Sequence, residues 1–152
     1  MQKTVLYYCL IKVKLRLQNI MMIQQVIDFG LVVLIWIVQI IVYPSFSYYK
    51  LEDLSKWHEK YTRNITLIVL PLMTVQLGIH LYEIISALSF LRLVILIMIL
   101  LIWINTFLYS VPLHKRISGN VDMAGACRDL SRINWYRTVL WTLVFVLGFF
   151  VV

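Results

Sequence analysis

The chain has 152 residues, 62% of them hydrophobic and 14% charged, with a mean hydropathy of +0.87. That apolar share lies well above the roughly 45–50% typical of soluble domains, so a water-soluble globule of this length cannot hide all of its apolar surface. The net charge of +7 comes from basic residues crowded beside long apolar runs, which points to lipid headgroups rather than nucleic acid.

The first twenty residues carry Lys3, Lys12, Lys14 and Arg16, and the stretch KVKLRLQ alternates polar and apolar positions. A secretory signal needs an unbroken apolar core followed by a small-residue cleavage site, and neither is present. Met21 and Met22 stand just before the first clean apolar run. Residues 1–21 are therefore expected to be a basic leader, untranslated or disordered, ahead of a membrane domain over 22–152.

Four apolar runs follow, at approximately 24–43, 64–83, 91–111 and 134–152. Each matches the ~20 helical residues that cross a bilayer core of about 30 Å. Pro44 and Pro112 are expected to stop the first and third helices, and Pro71 to kink the second. Trp57, Tyr61, Tyr109, Trp135 and Tyr136 fall at span ends, where amphipathic rings favour the headgroup region. The expected fold is all-α, a four-helix transmembrane bundle with short hairpin loops.

Four spans place both termini on one side. The expected loops 44–63 and 112–133, with the entry to span four, hold nine basic residues; the other side holds five, or only Arg92 without the leader. The positive-inside rule then makes those loops cytoplasmic and both termini external. A bacterial cytoplasmic membrane is the expected location.

Polar side chains inside spans need partners and are the natural place to look for function. Gln76, His80 and Glu83 follow i, i+4, i+7 spacing and share one helix face with Met73, while Asp28 and Gln39 lie three turns apart on span one. Asn105 and Tyr109 are one turn apart on span three. Asp28, His80 and Glu83 form a weak candidate metal or proton site near the outer surface, the plainer reading being mutual neutralisation of charges at a wet helix end. On the cytoplasmic side, His58, Tyr61, His114, Asn134 and Arg137 are the candidate catalytic residues. His58 and His114 are also candidate cofactor residues, as axial ligands of one haem. Their plainer roles are interface histidines, interhelical hydrogen bonding and phosphate anchoring.

Cys9 and Cys127 lack any paired spacing, so no disulfide is expected. Phosphate loops, the GxSxG elbow, HExxH and dinucleotide turns are all absent from the sequence, as is GxxxG.

The strings VPLHKRISGNVD, NWYRTVLWT and WHEKYTRN, with PLM in span two, resemble those of a group of small uncharacterised bacterial four-span proteins. Pro44, His58, Tyr61, Pro71, Pro112, His114, Asn134, Trp135, Arg137 and Trp141 carry the likeness, which implies four spans and transfers no activity. A looser similarity of layout links the chain to the anthrone-oxygenase-like family and to the bacterial protoporphyrinogen oxidase membrane family. The latter's usual histidine early in span one is missing here.

Three functional expectations follow. The first is an accessory or structural four-helix bundle that meets anionic lipid headgroups, a second copy of itself or a membrane partner protein. The others are a small membrane oxidoreductase or oxygenase, with haem as its possible cofactor, and a minimal proton-coupled transporter using Asp28, His80 and Glu83.

Overall fold

The structure is a computed structural model that describes residues 2–151, with side chains at residue 12 and over 18–151. All secondary structure in the described residues is helical, arranged as four long rods. The first is α1 (Gln2–Ile37), which runs on through a π-helical turn at Val38–Val42, a single α-turn α2 (Tyr43–Ser45) and a 3-10 turn at Phe46–Tyr48. The second is α3 (Leu51–Ser86). The third is α4 (Phe90–Asn105), a π-helical turn at Thr106–Ser110 and α5 (Val111–Ser118). The fourth is α6 (Met123–Gly148). In the expected leader the backbone is helical from Gln2 and joins the first apolar run without a break. The side chains of 2–11 and 13–17, Cys9 among them, lie outside the described residues.

The expected all-α bundle is present, but its helices are longer than the apolar runs. The expected loops 44–63 and 112–133 are mostly helix, because polar and basic residues with good helix propensity continue each rod past its apolar part. Only Tyr49–Lys50, 87–89 and 119–122 interrupt the rods. Glu52 and Asp53 in the first turn of α3 favour the positive end of its dipole. Ser89 caps α4 by accepting from the Arg92 amide at 3.3 Å. Asp122, at a left-handed φ of 42°, caps α6 by accepting from the Gly125 amide at 3.2 Å and pairs with Arg116 at 2.7 Å.

Pro44 and Pro112 do not stop their helices. Proline lacks the N–H that would bond four residues back, and its ring crowds that carbonyl. In both rods a wider turn absorbs the misfit: the Tyr43 amide bonds to the Val38 carbonyl and the Val111 amide to the Thr106 carbonyl, five residues back in each case. The inserted residue rotates everything downstream, so α2 and α5 present different faces from those a regular helix would show. Pro71 is accommodated within α3.

Two apolar clusters hold the rods together. One gathers Leu31, Ile35, Met73, Ile95, Ile99, Ile102, Trp141 and Val144. The other gathers Val38, Tyr43, Phe46, Leu54, Leu113, Ile117, Ala126 and Leu130. On α6 the buried Asn134, Arg137 and Thr138 fall between Leu130 of one cluster and Trp141 of the other. Asn134 Nδ2 donates to Gln39 Oε1 at 2.8 Å and clamps α6 to the π-turn of the first rod.

The outer faces are apolar as well: Val26, Phe29, Ile40, Leu67, Leu108 and Val139 are each more than half exposed. Three helical stretches, Gln18–Tyr48, Leu51–Ser86 and Phe90–Ser118, are long and apolar enough to cross a membrane. The fourth rod is not among them, because Arg128, Asp129, Arg132, Asn134 and Arg137 load its first half with polar groups.

Candidate functional site

At the end of the bundle where α5 meets α3, two histidines stack. The His58 and His114 ring centroids are 5.0 Å apart, and His58 Nε2 lies 2.9 Å from His114 Nδ1. His58 Nδ1 lies 3.0 Å from Ser118 Oγ and 3.5 Å from Thr62 Oγ1. On the other side, His114 Nε2 lies 3.5 Å from the Tyr43 hydroxyl. Each ring nitrogen thus has a partner, and Tyr43, His114, His58 and Ser118 form an unbroken hydrogen-bonded file.

That file runs along one wall of a cavity of about 360 Å³, within the range of small-molecule sites. Its body is apolar, lined by Leu34, Ile35, Val38, Val69 and Met73, and one end is polar, with Tyr43, Tyr61, Thr62, Ser110, His114 and Arg137. Leu70 and Phe107 also line it while standing 41% and 48% exposed on the outer surface. The cavity therefore opens sideways, between the second and third rods, onto the apolar face of the bundle.

Arg137 supplies the charge at the polar end. It is only 6% exposed, its Nη1 donates to Ser110 Oγ at 3.4 Å, and its guanidinium carbon sits 5.2 Å from the Trp141 ring centroid. The titratable groups nearest it are the Tyr43 and Tyr61 phenols and the His114 ring. No described carboxylate pairs with it, and its Nε is buried without a partner. A buried guanidinium without an acid is costly unless an anion completes it.

A haem does not fit the paired histidines. Axial ligands must face each other across the iron and its macrocycle, whereas here the two rings stack directly, with His58 Nε2 2.9 Å from His114 Nδ1 and no room for a macrocycle between them. Among the five sequence candidates, Tyr61, His114 and Arg137 meet at the cavity, and His58 backs His114. Asn134 lies one turn before Arg137 and is spent on Gln39, as a clamp between rods. Sequence reasoning left Ser110 and Ser118 out of the site, and grouped Tyr43 with the span ends that meet there without counting it among the five candidates. Ser110 and Ser118 are four residues either side of His114, so helical spacing alone marks them; the direction of Tyr43 depends on the π-turn.

A second polar cluster occupies the opposite end. Asp28 Oδ1 accepts from Gln76 Nε2 at 2.7 Å, and Gln76 Oε1 accepts from Trp141 Nε1 at 3.1 Å. His80 Nε2 lies 3.5 Å from Asp28 Oδ2, and His80 Nδ1 lies 3.5 Å from Glu83 Oε2. The expected face of Met73, Gln76, His80 and Glu83 is buried throughout. No group of three or more ligands placed to hold a metal ion occurs among the described residues. The two carboxylates flank opposite edges of one ring instead of converging on a point.

The fold and this geometry define an all-helical four-rod bundle with a laterally open cavity. Comparison with protein-family models, with curated proteins and with solved structures finds no match to the chain.

Proposed function

We propose that the chain is an integral membrane protein that binds a lipid-soluble weak acid, a long-chain carboxylic acid being the simplest, in the cavity at Arg137. Arg137 carries this reading: a buried guanidinium with no acid partner among the described residues, at the polar end of an otherwise apolar cavity. The apolar outer faces and three rods of spanning length support the membrane setting, and the lateral opening suits entry from the hydrocarbon layer. The ligand's chain takes the Leu34–Val38 and Val69–Met73 side of the cavity. Its conjugate base meets Arg137, Tyr43 and Tyr61. The Tyr43–His114–His58–Ser118 file then offers the acid's proton a route to the end of the bundle, since an imidazole can accept at one nitrogen while donating at the other.

The charge bias supports a cytoplasmic position for that end, where the lysines and arginines around it would meet anionic headgroups.

The test is binding of a fluorescent long-chain fatty acid and of its methyl ester to the protein in lipid nanodiscs. Saturable binding of the acid is expected, with the ester at least tenfold weaker. Arg137→Gln should weaken the acid by at least tenfold, about 1.4 kcal/mol, and leave the ester unchanged. Equal affinities for acid and ester in both proteins would overturn the reading.

A further inference from the structure

His80 is 2% exposed, and each of its ring nitrogens faces a different carboxylate at 3.5 Å, Asp28 across the bundle and Glu83 on its own helix. A neutral imidazole has one N–H and so satisfies one of these acceptors at a time, while its bare nitrogen opposes the other. The atoms involved show the shortfall: Asp28 Oδ2, His80 Nε2 and Glu83 Oε2 are all buried without a hydrogen-bond partner. One added proton removes it, because an imidazolium donates from both nitrogens at once.

Charge balance points the same way. Asp28 comes from α1, Glu83 from α3, and Arg92 from α4 is the further charged group that acts on Glu83. The neighbouring Gln24 and Gln76 are uncharged, and α6 offers Gly148 and Trp141. With both carboxylates ionised and His80 neutral, Arg92 is the one positive charge near two negative ones; with protonated His80 the cluster is neutral, which a site in low dielectric favours. Asp28 is held for this role from behind, by Gln76 and through it by Trp141.

We propose that Asp28, His80 and Glu83 form a proton-binding site, in which a doubly protonated His80 ring bridges the two carboxylates. The ligand is a proton, taken up at the end of the bundle opposite the cavity. This site stands independently of the fatty-acid reading.

The experiment is nitrogen NMR of the full chain with ¹⁵N-labelled histidine, in lipid nanodiscs at pH 7. A His80→Gln variant identifies the His80 signals. Both His80 ring nitrogens are expected to show the protonated imidazolium signature. Glu83→Gln, at the rim of the cluster, should convert His80 to a neutral ring with one protonated nitrogen, and Asp28→Asn should do the same. If Asp28→Asn fails to fold, Glu83→Gln decides alone. A neutral His80 ring in the unaltered protein, or an imidazolium that persists in Glu83→Gln, overturns the proposal.

Discussion

Trp141 touches both ends of the bundle's chemistry, donating through Nε1 to Gln76 and lying against Arg137 with its ring face. Trp141→Phe keeps the ring but leaves Gln76 Oε1 buried and unsatisfied. That change should cost about 1–2 kcal/mol, read as a lowered thermal midpoint in detergent, with fatty-acid affinity retained. Trp141→Leu should lower stability further and weaken the acid as well, since it also removes the aromatic face from the guanidinium. Asn134→Leu tests the neighbouring clamp. Losing its bond to Gln39 should cost on the order of 1 kcal/mol, without changing which ligands bind. Much of this was legible by residue: spacing placed Gln76, His80 and Glu83 on one face, and all three are buried. The partners were not legible, because Gln76 meets Asp28 across 48 positions of sequence and Trp141 across 65.

At the scale of elements, the two π-turns decide what faces the cavity. Both precede an X-Pro pair, and both pack against α6. Pro112→Ala restores the missing N–H and removes the ring that crowds the preceding carbonyls, so the third rod should relax to a regular helix. Stability should hold or rise, but α5 should rotate and carry His114 away from His58. The measurement is the coupling between His58 Nε2 and His114 Nδ1 across their hydrogen bond, visible in the same nitrogen spectra. It should be present in the unaltered protein and lost in Pro112→Ala, together with at least a tenfold loss of fatty-acid affinity. Proline position is plain in the sequence, and termination was the natural expectation. Whether a proline ends a helix or is absorbed by a wider turn depends on packing beyond it, here Phe46 and Ile117 buried in the second apolar cluster.

For the whole molecule, orientation has a simple test. Cys127 is a free, half-buried thiol on the polar first half of α6. Cytoplasmic placement of that end predicts no reaction with an impermeant maleimide in intact cells and reaction in inverted vesicles; labelling in intact cells would reverse the topology. Burial pushes the Cys127 thiol up, so thiolate is scarce at neutral pH. Labelling in inverted vesicles should therefore be slow near pH 7 and accelerate as the pH rises.

By itself the sequence determined the class of architecture: long apolar runs at spanning length, basic segments beside them and aromatic residues at their ends admit little besides a helical bundle. It also determined which side chains were too polar for their positions, because burial follows helical period within each rod. Only the tertiary structure decided what those side chains contact. It turned a possible haem pair into stacked, hydrogen-bonded imidazoles, and a candidate metal cluster into one ring between two carboxylates. It made Asn134 a clamp and left Arg137 facing a cavity with no acid beside it among the described residues. The physical reason is that period is a local property, set by backbone geometry within a few residues. Pairing depends on rod rotation, and here a single inserted residue before each of Pro44 and Pro112 sets that rotation.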